Sequence, residues 1–174
     1  NRGNMRGDLF VMAMGSYSPI YLRAVGIDVP IYPMKGYSVS FPANEYTPSV
    51  SVTDDELKIV FSRLGDRIRV AGTAEFAGYN TDVRQRRIEP IMKGIKTVFP
   101  KAKLDYHDEW ACLRPSTPDG PPIIGKTKYP NLFLNTGNGT LGWTQGAACA
   151  SLLASVITEQ TPEITLSGLT ADRY

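Results

Sequence analysis

Leu132-Phe133-Leu134-Asn135-Thr136-Gly137-Asn138-Gly139-Thr140-Leu141-Gly142-Trp143-Thr144 reads as an apolar strand running into a glycine loop. The small, apolar run from Gln145 to Glu159 behind it reads as a helix. Gly137, Gly139 and Gly142 let the backbone turn sharply and approach a ligand closely. The helix would aim its free N–H groups and the positive end of its dipole at that ligand. The spacing Gly137-x-Gly139-x-x-Gly142 fits the dinucleotide fingerprint. That motif, however, sits near the start of a βαβ unit, with an acidic residue about 20 positions on in a second strand. No such strand follows here. Two readings stay open: an anion or electron-rich ring held at a helix N-terminus, or a tight strand-to-helix turn with no ligand.

Upstream, Leu104 to Leu113 reads as a strand that ends at Arg114, and Ile123-Ile124-Gly125 as a short apolar one. Between them, Arg114-Pro115-Ser116-Thr117-Pro118-Asp119-Gly120-Pro121-Pro122 carries four prolines in nine residues and must be a stiff loop. A guanidinium fixed at such a junction suits bidentate capture of a carboxylate. An arginine exposed at a strand end is the plainer reading.

The middle of the chain is rich in short strand signals. Ile31 to Phe41, Ser49 to Val52, Leu57 to Phe61 and Ile68 to Gly72 are expected to form an antiparallel sheet, with a hairpin turn at Leu64-Gly65-Asp66-Arg67. Thr81-Asp82 is read as the cap of a helix reaching about Phe99, with Ile88, Ile91, Ile95, Val98 and Phe99 as its apolar stripe. Pro90 should kink or restart that helix, and Pro100 ends it. Arg84, Arg86, Arg87, Lys93 and Lys96 lie largely off the stripe, as a solvated face or a phosphate site. Tyr37, Tyr79 and Tyr106 suit sheet packing better than ligand contact. His107 beside Asp105, Asp108 and Glu109 is read as a surface strand rather than a metal site, and Cys112 and Cys149 as small core residues.

Leu9 to Met14 is a nearly continuous apolar run, the pattern of a strand buried on both faces. Ser18 should cap a short helix with Pro19 at its first position, and Gly26 should stop it. The sequence opens Asn1-Arg2-Gly3-Asn4 and enters this strand almost at once, so a fragment lacking its beginning is expected. No charged segment followed by an apolar one precedes it, so no secretory signal is expected.

Composition narrows the function classes. With 174 residues, 42% hydrophobic and 21% charged, the chain is neither disordered nor fibrous. Its formal charge of +2 argues against a nucleic-acid binder. Two cysteines are too few for a disulfide scaffold, and one histidine nearly excludes zinc. No apolar run approaches the roughly 20 residues of a spanning helix.

Five stretches resemble, in order and across nearly all of the chain, the C-terminal part of the FAD-dependent D-amino acid oxidase superfamily, most closely its bacterial D-amino acid dehydrogenase branch. They are 11–18, 32–38, 69–75, 113–120 and 134–144. The resemblance implies a mixed α/β and α+β fold, the C-terminal portion of a two-domain flavoenzyme whose N-terminal dinucleotide unit is absent from these residues. Residues 1–30 would belong to the FAD domain, 31–113 to an antiparallel substrate domain, and 114–174 to the FAD domain again. It further implies FAD contacts at Ala13, Gly15, Gly137, Gly139, Leu141, Gly142, Trp143 and Thr144. Substrate contacts are implied at Arg114, Thr140 and Tyr37, with no firm catalytic acid or base and no metal. The implied reaction is oxidative deamination of a D-amino acid, with electrons passing to a membrane quinone or electron-transfer chain. The implied setting is the cytoplasm or the inner face of the cell membrane. The missing half, or a partner chain, would hold the rest of FAD. The alternatives are a glycine or sarcosine oxidase-like amine oxidase, and a non-catalytic remnant or assembly subunit.

Overall fold

The computed structural model describes residues 3–174. In chain order its elements are β1 (Phe10–Met12), α1 (Ser18–Arg23), β2 (Tyr32–Pro42), β3 (Val52–Asp54), β4 (Ile59–Leu64) and β5 (Arg67–Phe76), then α2 (Gln85–Val98), β6 (Asp108–Ser116), β7 (Ile123–Lys126), β8 (Leu132–Thr136) and α3 (Gly142–Ile157). They divide into two compact units, one made of residues up to 33 together with 114–174, the other of 34–113.

The first unit holds a three-stranded sheet in the order β1-β8-β7. β1 and β8 run parallel, with Phe10 beside Leu132 and Met12 beside Leu134, although more than a hundred residues separate them. β7 closes the other side antiparallel. Alternation along β7 and β8 sends successive side chains to opposite faces. Ile123 and Leu134 pack with Leu22, Val29 and Ile31. Ile124 and Phe133 pack with Cys149, Leu152 and Leu153 of α3. The first strand differs from its expected burial: Phe10 and Val11 are 44% and 46% exposed. β1 is an edge strand among the described residues, so only β8 shields it.

α1 begins at Ser18, but Ser18 does not cap it. Its hydroxyl is buried against Thr136 Oγ1, 2.8 Å away, and Tyr17 occupies the cap position. Gly26 stops the helix as expected. At φ +70° it lets its N–H reach the Arg23 carbonyl while the Ile27 N–H reaches Leu22, both at 3.0 Å.

The second unit holds a five-stranded sheet in the order β3-β4-β5-β2-β6. The hairpin between β4 and β5 turns at Gly65-Asp66, with Gly65 at φ +65° and Leu64 paired to Arg67. β3 and β4 sit two or three residues later than expected, because Asp54 turns the chain by accepting the Leu57 N–H at 2.8 Å. Tyr37, Val39, Phe41, Ile59, Phe61, Ile68 and Val70 alternate onto one face and bury the stripe Ile88, Ile91 and Ile95 of α2.

α2 starts at Gln85, later than expected, because its would-be cap is used elsewhere. The Asp82 carbonyl accepts Lys35 Nζ, and its carboxylate takes the Asn80 amide at 2.7 Å. Pro90 lies inside the helix without ending it. Its ring removes the N–H that the Arg86 carbonyl would have used. The neighbouring Arg87 carbonyl gains the Thr73 hydroxyl at 3.2 Å. Thr73 is itself the extra residue of a β-bulge: Tyr37 pairs with Gly72, Gly36 with Ala74, and Thr73 adopts φ +43°.

Arg84 and Arg86 form neither a phosphate site nor a purely solvated face. Both donate to Glu75 Oε1, at 2.7 and 2.9 Å, and Arg87 approaches to 3.8 Å. The Glu75 side chain is 5% exposed and also accepts the Tyr37 hydroxyl at 2.6 Å on Oε2. The Tyr37 hydrogen bond and the arginines outweigh burial and hold the Glu75 carboxyl down at about 2. Burial first, and then Glu75, push the Tyr37 hydroxyl up to about 12. Lys93 and Lys96 remain exposed, as a solvated face requires.

β6 starts later and runs on through Arg114 and Pro115 to Ser116, so Arg114 lies within a strand rather than at the mouth of a loop. A proline is tolerated there because β6 is an edge strand. Cys112 is exposed on this strand and not a core residue, whereas Cys149 is buried. His107 hydrogen-bonds the Leu104 carbonyl through Nδ1 at 3.0 Å and approaches Glu109 through Nε2 at 3.4 Å. No helix among the described residues is long and apolar enough to cross a membrane.

Candidate functional site

Because β1 and β8 are parallel, their C-terminal ends lie at the same edge of the sheet. The crevice beyond such strand ends is where open α/β sheets bind ligands. Two turns meet at this edge. After β1, Gly15 adopts φ +53°, and its carbonyl accepts the Thr136 hydroxyl at 3.2 Å. After β8, Gly137 and Gly139 adopt φ +75° and +53°. The same edge therefore gathers Ala13 and Gly15 with Gly137, Gly139, Leu141, Gly142, Trp143 and Thr144.

The loop after β8 is fixed from beneath. Gly139 donates its N–H to the Pro115 carbonyl at 2.9 Å, and Leu141 donates to Asn138 at 3.1 Å. Asn138 turns its amide toward Cys149 Sγ, 3.3 Å away. A Cβ on Gly137 would stand 2.8 Å from the Thr117 methyl, whereas one on Gly139 would meet only open space. Gly137→Ala should therefore cost about 1–3 kcal/mol, combining left-handed strain with overpacking. Thr117→Ser, which removes that methyl and keeps the hydroxyl, should recover the steric part in chemical denaturation.

α3 begins at Gly142, earlier than the expected Gln145, because Gln145 already donates back to the Leu141 carbonyl at 2.9 Å. No side chain caps its N-terminus, and no acidic residue occupies its first turn. The amides of 142–144 thus lie ahead of the first intrahelical bond, the donor set that favours negative charge. A cavity of about 650 Å³ opens there. Asn138, Gly139, Thr140, Leu141 and Gln145 form one wall, and the loop from Ser116 to Pro122 the other. Trp143 is fully exposed beside it.

Arg114 is half-buried near the end of β6, next to the proline whose carbonyl holds Gly139. Thr140 lines the cavity. Tyr37 belongs to the other unit, where its ring is 1% exposed and its hydroxyl is committed to Glu75. Of the three expected substrate contacts, Tyr37 thus has the geometry of a core residue. Asn138, Gln145, Thr117 and Asp119 are wall residues that the sequence reading did not single out. For one of them a local signal exists: in Thr117-Pro118-Asp119-Gly120 the threonine hydroxyl accepts the Gly120 N–H at 3.1 Å, a turn that residue types announce. Among the described residues, no group of three His, Cys, Asp or Glu side chains could hold a metal.

The DAO family, described as FAD dependent oxidoreductase, matches residues 2–156. The chain belongs to this family. Among curated relatives, a D-amino acid dehydrogenase of Granulibacter bethesdensis is 48% identical over 177 aligned residues, which take in all of this chain and 42% of the relative. A D-amino acid dehydrogenase of Dechloromonas aromatica is 47% identical over 91% of this chain and 39% of its own length. The chain thus spans about two fifths of the length of the relatives it matches. Among solved structures, glycine oxidase from Geobacillus kaustophilus superposes with a TM-score of 0.87 at 20% identity, over 95% of this chain and 45% of that one. Iminodiacetate oxidase from a Chelativorans species gives 0.85 at 22%, over 96% and 47%. These two share the fold.

The family implies FAD, and the residues at this edge fit its flavin end on structural grounds. The α3 N-terminus is uncapped, Gly139 leaves open space where any other side chain would intrude, and a cavity lies against both.

Proposed function

We propose that these residues are the flavin- and substrate-facing part of an FAD-dependent D-amino acid dehydrogenase, which converts a D-amino acid to a 2-oxo acid and ammonia. The observation that carries this reading is the 48% identity to such an enzyme over an alignment that takes in the whole chain. The unit made of residues up to 33 and 114–174 is taken as FAD-domain structure, and 34–113 as the substrate domain. The ADP half of FAD is assigned to polypeptide outside this chain.

The chemistry FAD supplies when bound is two-electron oxidation of the amine, with hydride passing to flavin N5. The residues supply binding and orientation. Gly139 admits the ring edge, and the amides of 142–144 favour negative charge there. Arg114 holds the substrate carboxylate in a bidentate fork. The Thr140 carbonyl accepts a hydrogen from the substrate amine. Two anchors on one α-carbon leave the direction of its hydrogen nearly fixed, so the mirror-image substrate presents the wrong group. A neutral amine needs no general base, and the imine product hydrolyses in water.

Electrons are assigned to a membrane quinone rather than to oxygen. Full-length enzyme turning over D-alanine should reduce a quinone analogue and form pyruvate, with little peroxide. Stoichiometric peroxide from glycine or sarcosine would instead mark an amine oxidase. Equilibrium dialysis against FAD that finds no uptake by the full-length protein would mark a remnant.

A further inference from the structure

We propose that Arg173 is a positioning residue for the cavity beyond β8, neutralising Asp119 in the cavity wall so that an anionic group is accepted opposite. The inference rests on the flavin and substrate reading above. Arg173 lies beyond the segment that the family matches, in a short 3-10 turn at Ala171–Arg173. Its side chain is 12% exposed. Nε donates to Asp119 Oδ2 at 2.8 Å and Nη2 to Oδ1 at 3.3 Å, a bidentate fork. Nη2 also reaches the Pro121 carbonyl at 2.7 Å, and Nη1 the Pro122 carbonyl at 3.0 Å and the Thr170 carbonyl at 3.2 Å. The Tyr174 hydroxyl adds a further hydrogen bond to Asp119, and the Tyr174 ring stacks on the guanidinium at 4.5 Å.

One arginine thus holds Asp119, Pro121 and Pro122 of the loop that forms one wall of the cavity. Hydrogen bonds from Arg173 and then Tyr174 lower the Asp119 carboxyl to about 2, so it stays ionised at any working pH. Asp119 lines the cavity with Gly139, Thr140 and Gln145, across from the uncapped start of α3. A bare carboxylate there would repel the negative charge that the α3 amides attract. With Arg173 behind it, the wall carries no net charge.

The test uses FAD-loaded full-length enzyme and propionate, the carboxylate of alanine without its amine, followed by perturbation of the flavin absorption spectrum. Arg114 holds that carboxylate in the reading above, and the Asp119 wall acts on it through its field rather than by contact. Arg173→Gln should weaken propionate about tenfold, the scale of one uncompensated charge at partly screened range. Asp119→Asn should bind it as tightly as the parent or more so. The double variant should return to within about threefold of the parent. Equal weakening in all three variants would overturn the inference and leave Arg173 as support for the loop alone. If Arg173→Gln does not fold, Arg173→Lys keeps the charge and loses the fork: retained affinity is expected, and a tenfold loss overturns the charge argument. A parent enzyme that binds FAD but whose spectrum ignores propionate would remove the functional reading and this inference together. A parent that responds, with variants that break the pattern, would remove only the inference.

Discussion

Arg114→Lys in the full-length enzyme should lower kcat/KM for D-alanine about tenfold or more while leaving FAD affinity unchanged. Lysine keeps the charge but offers a point contact where arginine offers a planar fork. A charge-assisted hydrogen bond contributes roughly 1.5–3 kcal/mol, and 1.4 kcal/mol is a factor of ten. The loss should therefore reach tenfold even if only one of two hydrogen bonds disappears. Arg114 sits in β6 directly before Pro115, whose carbonyl fixes Gly139, so the backbone under the guanidinium is tied to the loop that lines the cavity. A merely structural arginine would lower stability and FAD binding together. Unchanged turnover of D-alanine would remove Arg114 from the site.

Glu75→Gln should destabilise the second unit, because it removes the one carboxylate that Tyr37 and the arginines share. The side chain is buried, and one carboxylate answers Tyr37, Arg84 and Arg86, with Arg87 close by. Glutamine can still accept one hydrogen bond, but Arg84, Arg86 and Arg87, whose side chains are 41%, 67% and 37% exposed, lose their shared counter-charge and only water replaces it. Tyr37→Phe should cost less, about 1.5–3 kcal/mol, the range for a hydrogen bond to a charged acceptor. The acid response follows from the lowered Glu75 carboxyl. Its value falls from 4.5 to about 2 on folding, so its contribution is fully present above about 4.5 and is lost as pH falls from there toward 2. Thermal melts between pH 6 and pH 3, roughly the span over which carboxylates titrate, should fall for the parent and fall less steeply for Glu75→Gln, in which Asp119 still contributes its own loss. Parallel curves for the two proteins would contradict this account of the cluster.

Much of the fold is legible because its determinants are local. Alternation in Tyr37, Val39 and Phe41 marks the buried face of β2, and the Gly65-Asp66 turn sets the register of β4 against β5. Gly26 stops α1 because only a left-handed residue completes that helix end. What escapes local reading is competition from distant partners. Asp82 does not cap α2 because Lys35, 47 residues earlier, takes its carbonyl. Ser18 does not cap α1 because Thr136, 118 residues later, takes its hydroxyl. Pro115 looks like the start of a loop and is in fact strand, since an edge position asks nothing of its missing N–H. The site divides the same way. Glycines 137 and 139 announce a loop whose backbone geometry demands them. Arg173 gives no signal at all, because its partner Asp119 lies 54 residues away and neither forms a motif.

The most direct test of the central claim is anaerobic mixing of the full-length, FAD-loaded enzyme with D-alanine and, separately, with L-alanine, watching the flavin absorption. The account predicts rapid bleaching by D-alanine with one pyruvate formed per flavin, and no bleaching by L-alanine on the same timescale. A flavin left oxidised by D-alanine, or bleached equally by both enantiomers, would contradict it.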